Sequence, residues 1–176
     1  MSGQPPGGMG RGLRMEWQGM PPPLLFDLSG IDLARVVAEK DDIRKANPQR
    51  YEFEQLDGVV YCDLQQRIIL GLRDIKAGEW WARGHLPGRP LFPGVLMIEA
   101  AAQLAGYFTR RLLGDPRFFG FGGLDKVKFR EVVVPPARMY ILAKAVDMRP
   151  RRTVCDVQEV VNGRLVFEGR VTGMPV

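Results

Sequence analysis

The stretch GVLMIEAAAQLAGYFTRRLL, residues 94–113, decides the fold. It carries Val95, Leu96, Met97, Ile98, Ala100, Ala101, Ala102, Leu104 and Ala105, so apolar side chains point in nearly every direction around a helix. A helix of that kind is buried on most sides, not on a single stripe. Gly114-Asp115-Pro116 ends it, because glycine takes the left-handed closing conformation and proline cannot continue the turn. A bilayer is a poor place for this run. Pro93, Gly94, Glu99 and Gln103 interrupt it, and a carboxyl near the centre of a span costs roughly 2.5–3.5 kcal/mol. The reading is a helix enclosed by the protein itself, with no membrane involved.

Downstream, four runs at about 118–129, 139–146, 153–161 and 165–171 read as strands, and Asn162-Gly163 is a tight hairpin signal between the last two. Upstream, Val59 to Leu64 and Arg67 to Arg73 read as two more strands parted by Gln65-Gln66. Leu86 to Pro93, punctuated by prolines and glycines, reads as an ordered loop feeding the helix. The order predicts an α+β domain in which one antiparallel sheet wraps around one long buried helix. Nearer the start, Ser29 is an N-cap candidate for a helix through about Glu39, with Ile31, Ala34 and Val37 on one face. Asp41 or Asp42 restarts a short helix that Pro48 ends. The domain reading is therefore a disordered tail over 1–23, a helical extension over 24–47 and one domain over 48–176. Met20, just before Pro21-Pro22-Pro23, is a candidate translation start.

A chain of 176 residues with 45% hydrophobic and 26% charged residues is an ordinary globular domain. Cys62 and Cys155 have neither the number for a disulfide framework nor the neighbours of a zinc site, so two buried thiols in a reducing cytoplasm is the reading. No metal is expected. The formal charge of +5 favours an acidic partner. The basic residues are scattered, without an arginine-rich run or stacking aromatics, so nucleic acid is not expected. The N-terminus lacks the apolar stretch of roughly 7–15 residues that a secretory signal needs.

Two residues carry the chemistry. His85 is the chain's one histidine, in the loop Gly84-His85-Leu86-Pro87-Gly88-Arg89-Pro90, which enters the helix start. Imidazole is the side chain whose ordinary pKa lies near neutrality, and helix N-terminal amides stabilise developing negative charge. Glu99 follows fourteen residues later among Ile98, Ala100, Ala101 and Ala102. Burial there would raise its pKa and suit it to donate a proton. The plainer alternative is a structural Glu bonded to backbone or to Gln103.

The run from His85 to Gln103, HLPGRPLFPGVLMIEAAAQ, resembles the signature GHFPGRPxxPGVLxxEAxAQ of the FabZ-type 3-hydroxyacyl-acyl carrier protein dehydratases. The spacing from His to Glu is included in the match. Pro48-Gln49-Arg50-Tyr51-Glu52-Phe53 with Asp57, and Leu124 to Arg130 followed by Val133-Val134-Pro135, extend the likeness from about Asp41 to the C-terminus. The resemblance implies a hot-dog fold and dehydration of a (3R)-3-hydroxyacyl thioester to the trans-2-enoyl thioester. It implies His85 as base, Glu99 as acid, the Gly94 N–H on the thioester carbonyl and Gln103 as the residue that orients Glu99. It further implies no cofactor beyond the phosphopantetheine of an acyl carrier protein, and a homodimer, or a trimer of such dimers, sharing its sites between subunits. Phe92, Trp80 and Phe108 are candidates for an acyl tunnel. Arg110, Arg111, Lys126, Lys128 and Arg130 are candidates for binding the acidic carrier.

Related branches fit less well. The isomerising branch carries Asp where Glu99 stands, and R-specific hydratases place an Asp five before the His, where this chain has Trp80. Hot-dog thioesterases lack the HxPGRP loop. Leu86, Glu131-Val132 and Pro136-Ala137 depart from the family's Phe, Arg-Pro and Gly-Asp. Those changes keep open a non-catalytic or heteromeric acyl-binding subunit.

Overall fold

The computed structural model describes residues 22–176. Most of the expected 1–23 tail, and Met20 with it, lies outside the described residues. The elements run β1 (Ala38–Glu39), α1 (Lys40–Arg44), β2 (Gly58–Asp63), β3 (Ile68–Ile75), α2 (Gly94–Leu113), β4 (Phe119–Phe129), β5 (Ala137–Arg149), β6 (Arg152–Val161) and β7 (Arg164–Pro175). The seven strands form one antiparallel sheet in the order β1-β2-β3-β5-β6-β7-β4. The β6–β7 hairpin turns at Asn162 and Gly163, both with positive φ, as the Asn-Gly pair requires.

Helix α2 lies across the inner face of this sheet. Its path is fixed by close approaches. A Cβ at Gly94 would come within 2.7 Å of the Phe129 ring, and one at Gly71 within 2.9 Å of Leu104. Met97, Ala100, Ala101, Leu104 and Phe108 of the helix share a core with Ile69, Met139, Ile141, Ala143, Val157 and Phe167 of the sheet. Gly114 closes the helix in the left-handed conformation, its N–H donating to the Arg110 carbonyl at 3.0 Å. Cys155 is buried, and burial pushes its thiol up to about 12, which leaves it unreactive.

The expected helix from Ser29 to Glu39 does not form. Residues 22–37 run as turns and irregular chain. The Asp27 carboxylate accepts from the Ser29 N–H and hydroxyl at 2.9 and 2.6 Å, and Asp32 accepts from the Ala34 N–H at 3.0 Å. These local bonds offer the backbone an alternative to helical pairing. The outer face of the sheet supplies the tertiary reason. Its buried Val60, Leu70, Leu72, Leu142, Val160 and Leu165 are packed by Leu25, Phe26, Leu28, Ile31 and Leu33. Gln158 holds this strap in place, its Oε1 accepting from the Leu25 N–H at 2.8 Å and its Nε2 donating to the Pro23 carbonyl at 3.2 Å. Of the predicted helix face only Ile31 packs on the sheet, while Ala34 and Val37 are exposed.

Candidate active site

Glu99 sits in the second turn of α2, half-buried. Burial raises its pKa above the ordinary carboxylate value, and a hydrogen bond from Gln103 partly offsets that shift. The Gln103 Nε2 donates to Glu99 Oε1 at 2.7 Å and to the Phe53 carbonyl at 2.6 Å. Its Oε1 accepts from the Gln55 N–H at 2.9 Å, while its own carbonyl accepts from Asn47 Nδ2 at 2.9 Å. Gln103 is thus fixed from three sides, and it fixes one oxygen of Glu99. The segment around Tyr51–Phe53 contributes backbone, through the Phe53 carbonyl.

Beside Glu99 a cavity of about 560 Å³, open mouth included, runs along α2 toward β4, β6 and β7. Glu99, Ala102, Gly106 and Thr109 provide its helical wall, at spacings that repeat every three or four residues and so share one face. Small residues hollow it. A Cβ placed on Gly106 would meet no atom within 4 Å. Phe119 and Phe121 of β4, Thr153 and Cys155 of β6 and Val171 to Gly173 of β7 form the opposite wall.

The predicted tunnel residues stand elsewhere. Phe108 is fully buried in the core, and Phe92 is buried with its ring edge-on to Trp81 at 5.5 Å. Trp80 is 53% exposed. None of the three lines the cavity beside Glu99. The reason is geometric: Phe108 lies on the sheet-packed side of α2, whereas the hollow follows the face of Ala102 and Gly106. That stripe of small residues, continuing the face of Glu99, was the readable signal.

His85 is exposed, in a loop of successive turns whose backbone is tied by the His85 N–H donating to the Trp81 carbonyl at 2.8 Å. The loop is anchored at its start. Arg73 pairs with Glu79 and with Asp57, the latter at 3.0 Å. Glu79 also accepts from the Lys76 N–H at 2.7 Å and from Trp81 Nε1 at 3.2 Å. The sequence reading missed this Arg73–Glu79 anchor, since a lone Arg in a strand carries no signal of its partner. His85 does not line the Glu99 cavity within one chain. Gly94 starts α2, where a helix leaves its first N–H groups without intrahelical acceptors, and the Phe129 ring presses against the spot where a side chain would be.

The basic candidates split into two groups. Arg110 and Arg111 lie in the last turn of α2. Lys126, Lys128 and Arg130 lie at or just beyond the end of β4 whose Phe129 touches Gly94, hence beside the helix start. Arg110 lies about 24 Å along the axis from Gly94. Arg130 is paired with Glu168 at 2.5 Å and Lys128 approaches the same carboxylate at 3.9 Å, so neither is a free charge.

A family model described as a FabA-like domain matches residues 47–170. The bifunctional enzyme LpxC/FabZ of Chlorobaculum tepidum is 36% identical over 140 residues, which cover 77% of this chain but 29% of that protein. The chain therefore spans under a third of that relative's length. Among solved structures, the dehydratase heterocomplex ApeI:P from Xenorhabdus doucetiae superposes with a TM-score of 0.66 at 13% identity, over 81% of this chain and 93% of that one. Zebra fish thioesterase superfamily member 2 gives 0.58 at 12% identity, over 78% and 95%. At such identities the likeness establishes the hot-dog fold. No helix among the described residues is long and apolar enough to cross a membrane.

Proposed function

The chain belongs to the FabA-like domain family, and from that premise we propose that it removes water from a (3R)-3-hydroxyacyl thioester held on the phosphopantetheine of an acyl carrier protein. The observation that carries this reading is Glu99: a carboxyl whose pKa is raised by burial, held by Gln103 at 2.7 Å, at the wall of an open cavity that it shares with Ala102, Gly106 and Thr109. His85 takes the proton from the carbon next to the thioester carbonyl. The electron pair forms the double bond, and the 3-hydroxyl leaves as water with the proton supplied by Glu99. The Gly94 N–H polarises the thioester carbonyl while charge builds on its oxygen. The tail lies between Ala102 and Gly106 of α2 and Phe119 of β4. The reaction balances without a further cofactor.

His85 and the Glu99 cavity meet across a homodimer in this reading. The edge strand β4 pairs only with β7 among the described residues. Large apolar side chains are exposed at Tyr51, Phe53, Val95, Phe121 and Phe129, apolar area that a second copy would cover. A trimer of such dimers is a further step of the same assembly. The exposed Arg111 and Lys126 suit an acidic carrier protein.

The test is to incubate the purified protein with crotonyl and 3-hydroxybutyryl thioesters while following enoyl absorbance and thiol release together. Interconversion without thiol release is expected, and His85→Ala abolishes it. Thiol release without interconversion would make the protein a thioesterase. Neither signal would leave a non-catalytic acyl-binding subunit.

A further inference from the structure

The Glu99 cavity is less greasy than a plain hydrocarbon tail requires. Two of its walls present hydrogen-bonding groups that the protein leaves unused. Thr109 and Thr153, 1% and 3% exposed, face one another with hydroxyl oxygens 3.4 Å apart. One bond between two hydroxyls uses one of their two protons and leaves the other to be given away. Gln49 also lines the cavity, and its Oε1 is buried without a hydrogen-bond partner. One wall thus offers a donor and another offers an acceptor. Gly173 makes room for the threonine pair, since a Cβ there would lie 2.7 Å from the Thr153 hydroxyl.

A saturated tail filling this space would strip water from both groups and return nothing to them. Leaving a buried donor or acceptor unmet is unfavourable. A site built that way rejects the ligand lacking the matching group more strongly than it rejects a change of length. Thr109 lies ten residues beyond Glu99 on the same helix. That separation is about 15 Å, the reach of an extended chain of roughly ten to twelve carbons.

Resting on the dehydratase reading above, we propose that Thr109, Thr153 and Gln49 select acyl chains that carry a second oxygen, a hydroxyl or keto group, between the reacting carbons and the chain end. Fully saturated tails of the same length are the disfavoured class.

The experiment measures kcat/KM for hydration of trans-2-hexadecenoyl thioester against a set bearing one hydroxyl at each position from carbon 6 to carbon 16. At least one hydroxylated chain is expected to exceed the plain chain by about tenfold or more. Thr153→Val lowers the value for that chain and raises it for hexadecenoyl, so the ratio collapses, whereas a folding defect lowers both. Thr153→Ser keeps the preference, and Gln49→Met reduces it. Equal rates across the set, or a preference untouched by Thr153→Val, Thr109→Val and Gln49→Met alike, would overturn the selection while crotonyl turnover leaves the dehydratase reading standing. Wild-type protein inert toward crotonyl as well would remove both.

Discussion

Glu99 and Glu159 face the same core from its two layers, one on the helix and one on the sheet. Glu159 projects from β6 between Ile141 and Phe167, its register partners on β5 and β7, and it is fully buried. Burial holds both carboxyls above their ordinary pKa, Glu159 well above. There the likeness ends. Glu99 is half-buried, positioned by Gln103 and open to a cavity, whereas neither oxygen of Glu159 has a hydrogen-bond partner. A raised carboxyl is therefore not in itself a catalyst. Position and access are what fit Glu99, and not Glu159, for the proposed role. Glu159 is a cost to the fold, while the burial of Glu99 is tied to a place where a substrate can reach it.

The contrast can be broken most sharply at Glu99. Glu99→Gln is expected to lower kcat by ~10²–10⁴-fold with little change in melting temperature. A fall of less than tenfold would remove Glu99 from the role of acid. Gln103→Leu comes next. It strips the bonds to Glu99, the Phe53 carbonyl and the Gln55 N–H, at about 1–3 kcal/mol of stability. Because the Gln103 bond lowers the Glu99 pKa, its loss should move the alkaline limb of the pH–rate profile upward as kcat falls. A limb that stays put would mean that Gln103 only supports the fold.

Glu159→Met should do the reverse of Glu99→Gln, leaving activity alone and stabilising the protein. The sign follows from the raised pKa. The folded state holds the Glu159 proton where the unfolded chain has released it, so stability falls as pH climbs above the unfolded value near 4.3. The variant should gain ~1–3 kcal/mol at pH 8 and distinctly less at pH 5, read by chemical denaturation at both values. An equal gain at both would show that Glu159 keeps its charge in the fold. The smallest effect belongs to Gly106→Ala. Removing a mid-helix glycine adds roughly 0.5–1 kcal/mol, and the new methyl enters open space. A more stable protein that turns over decenoyl more slowly than crotonyl, relative to wild type, is the expected result.

Much of this was legible in one dimension. The all-round apolar run at 94–113 and the strand runs on either side carry the architecture, because a helix without a polar face must be enclosed. The HLPGRP loop and Glu99 were legible as a motif. The sequence reading missed Glu159, although Cys155, Val157, Glu159 and Val161 alternate along one strand and so share a face. Other features were not legible. The strap at 22–37 reads as helical through Ile31, Ala34 and Val37, but the local Asp27 and Asp32 bonds and an apolar outer sheet face that takes Leu25, Phe26, Leu28, Ile31 and Leu33 decide against a helix. Phe92, Phe108 and Trp80 are aromatic near the motif, but which side of α2 is hollow depends on where the sheet packs.

By itself, then, the sequence determined the buried helix, the antiparallel strands and the turn at Asn162-Gly163, and it singled out Glu99 and His85 as the candidate pair. Each of these rests on local periodicity, backbone preference or a contiguous motif. The tertiary structure alone decided that the cavity follows Ala102 and Gly106 to the Thr109–Thr153 pair, and that Arg130 is spent on Glu168. These are meetings between residues 38 and 44 positions apart in the chain, and only the packed sheet and helix bring such groups together.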